Sequence, residues 1–376
     1  MKKILVVFGT RPEAIKLAPV IHYLRKKEMI NLITCSTGQH STMLKQALKI
    51  FNIEVDYDFK VMKSNQSLYQ ISSKILNSFE KLLDNERPDL VLVHGDTTTT
   101  FIASLASFYL KIPVAHIEAG LRTGNPLSPW PEEMNRLLTS KIATRHYAPT
   151  KIAKDNLVSE GVKKNHILVT GNTVIDALLF SKDLIQRDKN LKNKLDKKFS
   201  FIDKKKKILL VTGHRRENFG DGIKNICLAL KEIAMSNKNE LQIIFSVHLN
   251  PNVASPVNKI LKGIDNIKLL PPQDYLAFIY LMEISNIILT DSGGIQEEAP
   301  SLKKPVIVMR EFTERLEGVK NGNIILTGSD KSQIINSVNK LLNNQRFYNQ
   351  MIKKANPYGD GNSAKLIVDD IINNLF

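Results

Sequence analysis

Three carboxylates in the first half of the chain, Asp96, Glu118 and Glu132, stand where proton-transferring acids have to stand. Asp96 follows the apolar run Leu90 to His94 and one glycine, and Glu118 follows the run Val114 to Ile117. In open parallel sheets, residues just beyond the carboxyl ends of strands are the ones that meet ligands. Glu132 and Glu133 follow Pro131 in the first turn of an expected helix, where the dipole favours the ionised form. Two of the acids also have a plain structural reading: Asp96 as N-cap of the threonine-led helix, Glu132 as a dipole partner. Taken together, three acids at switch-type positions read as an acid/base set.

Anion-binding signals complement the acids. Gly9-Thr10-Arg11-Pro12-Glu13, with Lys16 one helical turn later, combines a tight turn, a helix start and two cations. It lacks the GxGxxG pattern and so does not announce a nicotinamide or flavin dinucleotide. Arg11 alone reads equally as a surface ion-pair residue. In the second half, Thr212 to Asn218 follows one apolar run, and Thr290-Asp291-Ser292-Gly293-Gly294-Ile295-Gln296-Glu297-Glu298 follows another. A hydroxyl and two glycines opening a helix expose main-chain amides to a phosphate at close range. Glu298, one turn in, sits at the depth of ribose hydroxyls, or else is a solvent-facing helix acid. Arg310 and Arg315 follow the next run.

Such groups need strands to place them. Short Val, Ile and Leu runs alternate with longer amphipathic segments, the pattern of βαβ units in a doubly wound α/β fold. Strands are expected near 4–8, 32–36, 90–94, 114–117 and 146–148, and again near 208–212, 242–246, 287–290, 306–309 and 323–326. Between these sets lies a lysine-rich stretch from Lys182 to Lys207. The reading is therefore two Rossmann-like domains, 1–175 and 176–360, with a C-terminal helix over 361–376 packing back on the first. The halves open alike, Ile4 to Arg11 matching Ile208 to Arg215, each a buried strand ending in glycine and then a cation.

Length and composition agree. A chain of 376 residues, 43% hydrophobic and 24% charged, has room for two ordinary domain cores and does not resemble a disordered chain. The first apolar run, Ile4 to Phe8, is too short for a signal peptide, and no stretch nears the ~20 apolar residues that span a bilayer. A cytoplasmic protein is expected. Cys35 and Cys227 are far apart and read as core thiols, with no metal site indicated. The net charge of +16 raises nucleic-acid binding as a different class of function. Much of that excess lies in the Lys182 to Lys207 stretch without interleaved aromatics, so it reads as a solvated face whose field helps draw in an anionic substrate.

The motif set closely resembles the non-hydrolysing UDP-N-acetylglucosamine 2-epimerases over nearly the whole chain. The carrying segments are FGTRPEAIKLAP from Phe8, TGQH from Thr37, VHGDTTTT from Val93, HIEAGLRT from His116, PEEMNR from Pro131, TGNTVID from Thr170, TGHRREN from Thr212 and DSGGIQEEAP from Asp291. The resemblance implies two Rossmann-like domains in a glycosyltransferase-B-like arrangement with UDP in an interdomain cleft, a homodimer, and no cofactor. It implies catalytic roles for Asp96, Glu118, Glu132 and His214, and UDP contacts for Arg11, Lys16, Phe278, Ser292, Gly293, Gly294, Glu298 and Arg315. It also implies a second, activating UDP-N-acetylglucosamine near Gln39 and His40, with Arg215 and His248. Two departures stand out: Leu316 replaces the proline of the family's TERPE segment, and Ser41, Thr42 and Asn65 replace more polar or basic residues.

The implied reaction inverts carbon 2 of the sugar by eliminating UDP to a glycal and adding it back. A hydrolysing epimerase and a glycosyltransferase on the same scaffold are the enzymatic alternatives.

Overall fold

The computed structural model describes residues 1–376 except 39–40 and 63–65, together with the side chains of 41–43. The chain divides into two compact units, Met1–Ala177 with Tyr358–Phe376, and Leu178–Pro357.

Unit 1 contains strands β1 (Lys2–Phe8), β2 (Ile30–Ser36), β3 (Tyr57–Asp58), β4 (Leu90–His94), β5 (Val114–Ile117), β6 (Arg145–Ala148) and β7 (Ile167–Val169). They form one sheet in the order β3-β2-β1-β4-β5-β6-β7, and every pairing is parallel. Unit 2 contains β8 (Lys207–Gly213), β9 (Leu241–Val247), β10 (Ile267–Leu270), β11 (Ile287–Thr290), β12 (Val306–Val308) and β13 (Ile324–Leu326). Their order, β10-β9-β8-β11-β12-β13, repeats the pattern of unit 1, again all parallel. The matched openings Ile4 to Arg11 and Ile208 to Arg215 are thus equivalent central strands with their following turns. Each unit is a doubly wound α/β structure whose strand order reverses beside its first strand, the position where such sheets bind ligands.

Burial explains why the strands read as unbroken apolar runs. In unit 2, Leu209 and Val211 pack into one core while Ile208 and Leu210 pack into another, so alternate side chains of β8 are buried on opposite faces. A sheet covered on both faces leaves no polar alternation to read. Three strands were not expected from the sequence: β3, β7 and β10. All three lie at sheet edges. Val169 on β7 is 40% exposed, so the run is short and half-wet, and its apolar signal is correspondingly weak.

The helix Ser363–Asn374 belongs to unit 1. Its buried Asp370 takes the guanidinium of Arg145 on β6, with Nε to Oδ2 at 2.8 Å, and the hydroxyl of Tyr147 at 2.9 Å. A buried carboxylate needs such donors to offset its lost hydration. Cys35 and Cys227 are buried free thiols. Among the described residues, no helix is long and apolar enough to cross a membrane.

Candidate active site

At the carboxyl edge of unit 1, the turn after β1 is packed against the start of the Thr98–Tyr109 helix that follows β4. A Cβ on Gly9 would lie 2.3 Å from the Thr99 hydroxyl and 2.4 Å from that of Thr37, so only glycine permits this approach. Buried Glu13 locks the two segments together. Its Oε2 accepts from the amides of Gly9 (3.0 Å) and Thr10 (2.7 Å), and its Oε1 accepts from the hydroxyls of Thr97 (2.7 Å) and Thr100 (3.2 Å). Burial raises the Glu13 carboxyl, with the hydrogen bonds opposing it. In the sequence Glu13 stands out only as part of a turn, and the Thr-x-x-Glu spacing from Thr10 is the signal for this bridge.

Asp96 follows β4 by two residues, but it is not the cap of the next helix. Thr97 holds that position, its hydroxyl accepting from the Thr100 amide at 3.2 Å, which removes the N-cap reading of Asp96. Asp96 instead meets Arg136, Nη2 to Oδ2 at 2.5 Å, while its main-chain oxygen accepts from Asn135. Burial raises the Asp96 carboxyl; the Arg136 cation pulls it down, and the nearby Glu118 charge pushes it up again.

Glu118 follows β5 with φ of +63°, a left-handed conformation that is rare for a residue with a Cβ. Such strain of about 1–3 kcal/mol persists only where its surroundings enforce it. Its Oε2 forms a short ion pair with Lys16 Nζ and accepts from Asn172 Nδ2 at 2.7 Å. Two buried histidines support this edge. His94 Nε2 is 3.9 Å from Glu118 Oε2, and burial pushes its ring down to about 4. His116 Nε2 lies 2.7 Å from the Gly95 carbonyl, and burial pushes that ring down to about 3. Both rings are neutral at physiological pH, so Lys16 is the cation that balances Glu118.

The acid pair at 132–133 separates cleanly. Glu133 is buried, accepting from the amides of Thr123 (3.0 Å) and Gly124 (3.1 Å) and pairing with Arg136 at 3.2 Å. Glu132 is half-buried in the first turn of the Glu132–Ile142 helix, with no hydrogen bond or ion pair among the described residues. Arg11 is likewise half-buried and without a partner there. Unit 1 thus gathers Asp96, Glu118 and Lys16 into one electrostatic group.

Unit 2 builds its edge mainly from main-chain groups. Buried Asp291 accepts from the amides of His214 and Arg215, both at 2.9 Å, and from Asn218 Nδ2 at 3.2 Å. This cradle holds the turn after β8 against the end of β11. It leaves the His214 ring 41% exposed, its Nδ1 3.4 Å from Asp291 Oδ1 and its face stacked on His248 at 5.8 Å. Burial lowers the His214 ring, with Asp291 opposing, so the imidazole favours its neutral form. Arg215 Nε is buried with no hydrogen-bond partner among the described residues.

Beyond Asp291, Ser292 occupies the N-cap position of the short helix Gly293–Glu298 without a side-chain capping bond, its own amide donating to the Thr290 hydroxyl at 3.0 Å. A Cβ on Gly293 would lie 3.2 Å from the Arg315 guanidinium carbon, which puts this cation against the glycine turn. Arg315 is steered there by Glu297 (Nε to Oε1, 2.9 Å) and Glu314 (Nη1 to Oε1, 2.7 Å). Although burial raises Glu314, Arg315 and Arg310 together hold it down to about 2. Arg310 is committed to Glu217 and Glu314. Glu298 is buried, with the Tyr275 hydroxyl 3.5 Å from Oε1, which overturns its reading as a solvent-facing acid. Phe278 is half-buried on the Tyr275–Ile284 helix of the same unit. Gln39 and His40, expected at a second ligand site, lie outside the described residues, as does Asn65.

Two parallel α/β units of like strand order, one edged with carboxylates and the other with a glycine turn and cations, define a protein of two Rossmann-like domains. The family model for UDP-N-acetylglucosamine 2-epimerase matches residues 22–372. The chain is 52% identical over 371 residues to the UDP-N-acetylglucosamine 2-epimerase of Yersinia pestis, covering 99% of this chain and 98% of that protein. It is 51% identical over 372 residues to the Escherichia coli K12 enzyme of the same name, covering 99% of each. The crystal structure of UDP-GlcNAc 2-epimerase from Neisseria meningitidis bound to UDP-GlcNAc superposes with a TM-score of 0.91 at 51% identity, covering 99% of this chain and 100% of that one. The chain belongs to the UDP-N-acetylglucosamine 2-epimerase family.

Proposed function

We propose that this protein interconverts UDP-N-acetylglucosamine and UDP-N-acetylmannosamine without net hydrolysis. The observation that carries the reading is the pairing of Asp96 and Glu118: two partly buried carboxylates close enough to oppose each other's charge, one beside Arg136, the other beside Lys16. Acids held in unlike surroundings divide proton-donating and proton-accepting work between them.

The proton on carbon 2 is not acidic while UDP is attached. Breaking the bond from carbon 1 to the diphosphate oxygen puts positive charge on the ring and acidifies that proton, which a carboxylate removes to leave a glycal. Reprotonation from the opposite face, with the diphosphate oxygen returning to carbon 1, gives the manno epimer. Acid/base groups are therefore needed toward both faces, and Glu118, Asp96 and Glu132 supply them. His214, Arg11 and the Ser292 to Gly294 turn with Arg315 hold the departing diphosphate, a preorganised electrostatic role. Lys16, Phe278 and Glu298 complete the nucleotide contacts, and a homodimer in the cytoplasm serving cell-surface polysaccharide synthesis is the setting we infer.

Incubation with UDP-N-acetylglucosamine in heavy water, followed by proton NMR, tests this directly. Deuterium entering carbon 2 of both epimers, with UDP-sugar conserved, is the expected outcome. Free UDP accumulating with N-acetylmannosamine marks a hydrolysing enzyme instead, and substrate recovered unlabelled overturns the reading.

A further inference from the structure

The chain leaves unit 1 after Ala177 and returns at Tyr358. Both crossings start from one small patch of that unit. The Asn172 amide donates to the Tyr358 carbonyl at 2.7 Å, and the Ala364 amide donates to Asp176 Oδ1 at 2.9 Å. Gly171 has φ of +86°, and a Cβ there would lie 2.7 Å from Ser363 Oγ and 3.2 Å from the Tyr358 carbonyl oxygen. Asn172 itself is 2% exposed, its Oδ1 accepting from the Val174 amide at 3.0 Å. Its remaining side-chain group, Nδ2, donates to Glu118 Oε2 at 2.7 Å, the same oxygen that meets Lys16. One residue therefore grips a carboxylate of the acid set with its side chain and the returning chain with its main chain.

We propose that Asn172 is a positioning residue for the reaction, fixing the Glu118 carboxylate and tying it to the return crossing at Tyr358. The proposal rests on the reading of Glu118 as a proton-transferring group. An amide donor to a carboxylate favours its ionised form, and a buried hydrogen bond to a charged group is among the stronger ones. Removing that donor shifts the acidic limb of the activity profile to higher pH, because Glu118 then has to lose its proton with less help.

The decisive variant is Asn172→Asp, which keeps the volume and an oxygen for the Val174 amide but replaces the donor with a like charge. Asn172→Ser serves as a second variant of smaller size. In each, deuterium uptake at carbon 2 of UDP-N-acetylglucosamine is measured from pH 5 to 9, alongside thermal unfolding. The expected result is a fall in kcat of about ten- to a hundredfold with KM within about twofold, and an acidic limb moved up by roughly one pH unit. Asn172→Asp shows the larger shift. An unmoved limb in either folded variant overturns the proposal, and so does failure of both to fold, which makes Asn172 a purely structural residue. Absence of exchange in the wild-type protein instead sinks the proposed function, and the two failures are thereby told apart.

Discussion

Two aspartates show how differently the equivalent edges of the two units are used. Asp96 follows β4 and Asp291 follows β11, the strands beside the first strand of each sheet. Asp291 is 1% exposed and saturated by two amides and a carboxamide. Asp96 has a side chain 28% exposed and a single guanidinium against its carboxylate. The first is a scaffold that aims other groups, while the second keeps an edge toward solvent and an ionisation that its neighbours contest. The strand order is common to both units, so the chemistry is set by what satisfies each acid rather than by where the fold puts it.

The largest expected effect separates acid chemistry from scaffolding. Glu118→Gln is expected to lower the rate of deuterium exchange by about a hundred- to ten-thousandfold, the usual worth of a general base. Asp291→Asn is expected to act chiefly on folding, lowering the stability of unit 2 by roughly 1.5–3 kcal/mol as charged hydrogen bonds to three donors weaken. Chemical denaturation followed beside the exchange assay checks both. A stable Asp291→Asn protein with exchange abolished breaks the comparison.

Next in size is the glycine turn of unit 2. Gly293→Val puts branched carbon where the Arg315 guanidinium now sits 3.2 Å from an added Cβ, displacing the cation and covering the turn amides. UDP affinity, measured by calorimetry, is expected to fall about ten- to a hundredfold, the value of one lost charge-assisted hydrogen bond. Unchanged UDP affinity removes the turn from the nucleotide site.

Asp176 sharpens the contrast through pH. Burial raises its carboxyl from 3.8 to about 6, with the Ala364 amide opposing. Between those values the native state holds a proton that the unfolded chain has lost, so stability falls as pH rises from 4 to 6 and then levels. Asp176→Asn lacks this slope. The stability of the variant relative to wild type is expected to improve by about 2–3 kcal/mol between pH 4 and pH 7. Parallel pH profiles in denaturant unfolding count against it.

Much of the fold is legible in the sequence. Central strands buried on both faces read as clean apolar runs, and position after them marks Asp96, Glu118, His214 and the Ser292 to Gly294 turn as candidates, while the roles come from the resemblance. Edge strands β3, β7 and β10 are not legible, because half-exposed strands carry less apolar signal. Nor could sequence say that Glu133 would be spent on the Thr123 and Gly124 amides while Glu132 stayed uncommitted. Neighbouring acids in a first helical turn differ by about 100° of rotation, and only the packed helix reveals which one turns inward. Asn172 and Glu13 escaped for a related reason: their partners are 54 and 84 residues away, at Glu118 and Thr97.

The smallest effect concerns charge outside both edges. Lys192 and Lys194 are exposed on the Lys189–Lys198 helix of unit 2 and contribute to the net charge of +16. At about 0.15 M salt the Debye length is ~8 Å, so exposed lysines act on an approaching anion only weakly. The double variant Lys192→Gln, Lys194→Gln is expected to change kcat/KM less than about twofold there, with any loss growing as salt is lowered toward ~0.01 M. That salt dependence is the mark of steering, since a contact made in the bound complex is far less screened. A loss that persists undiminished at high salt places the lysine helix in contact with substrate, and the division between acid-edged and amide-edged units no longer accounts for all the binding.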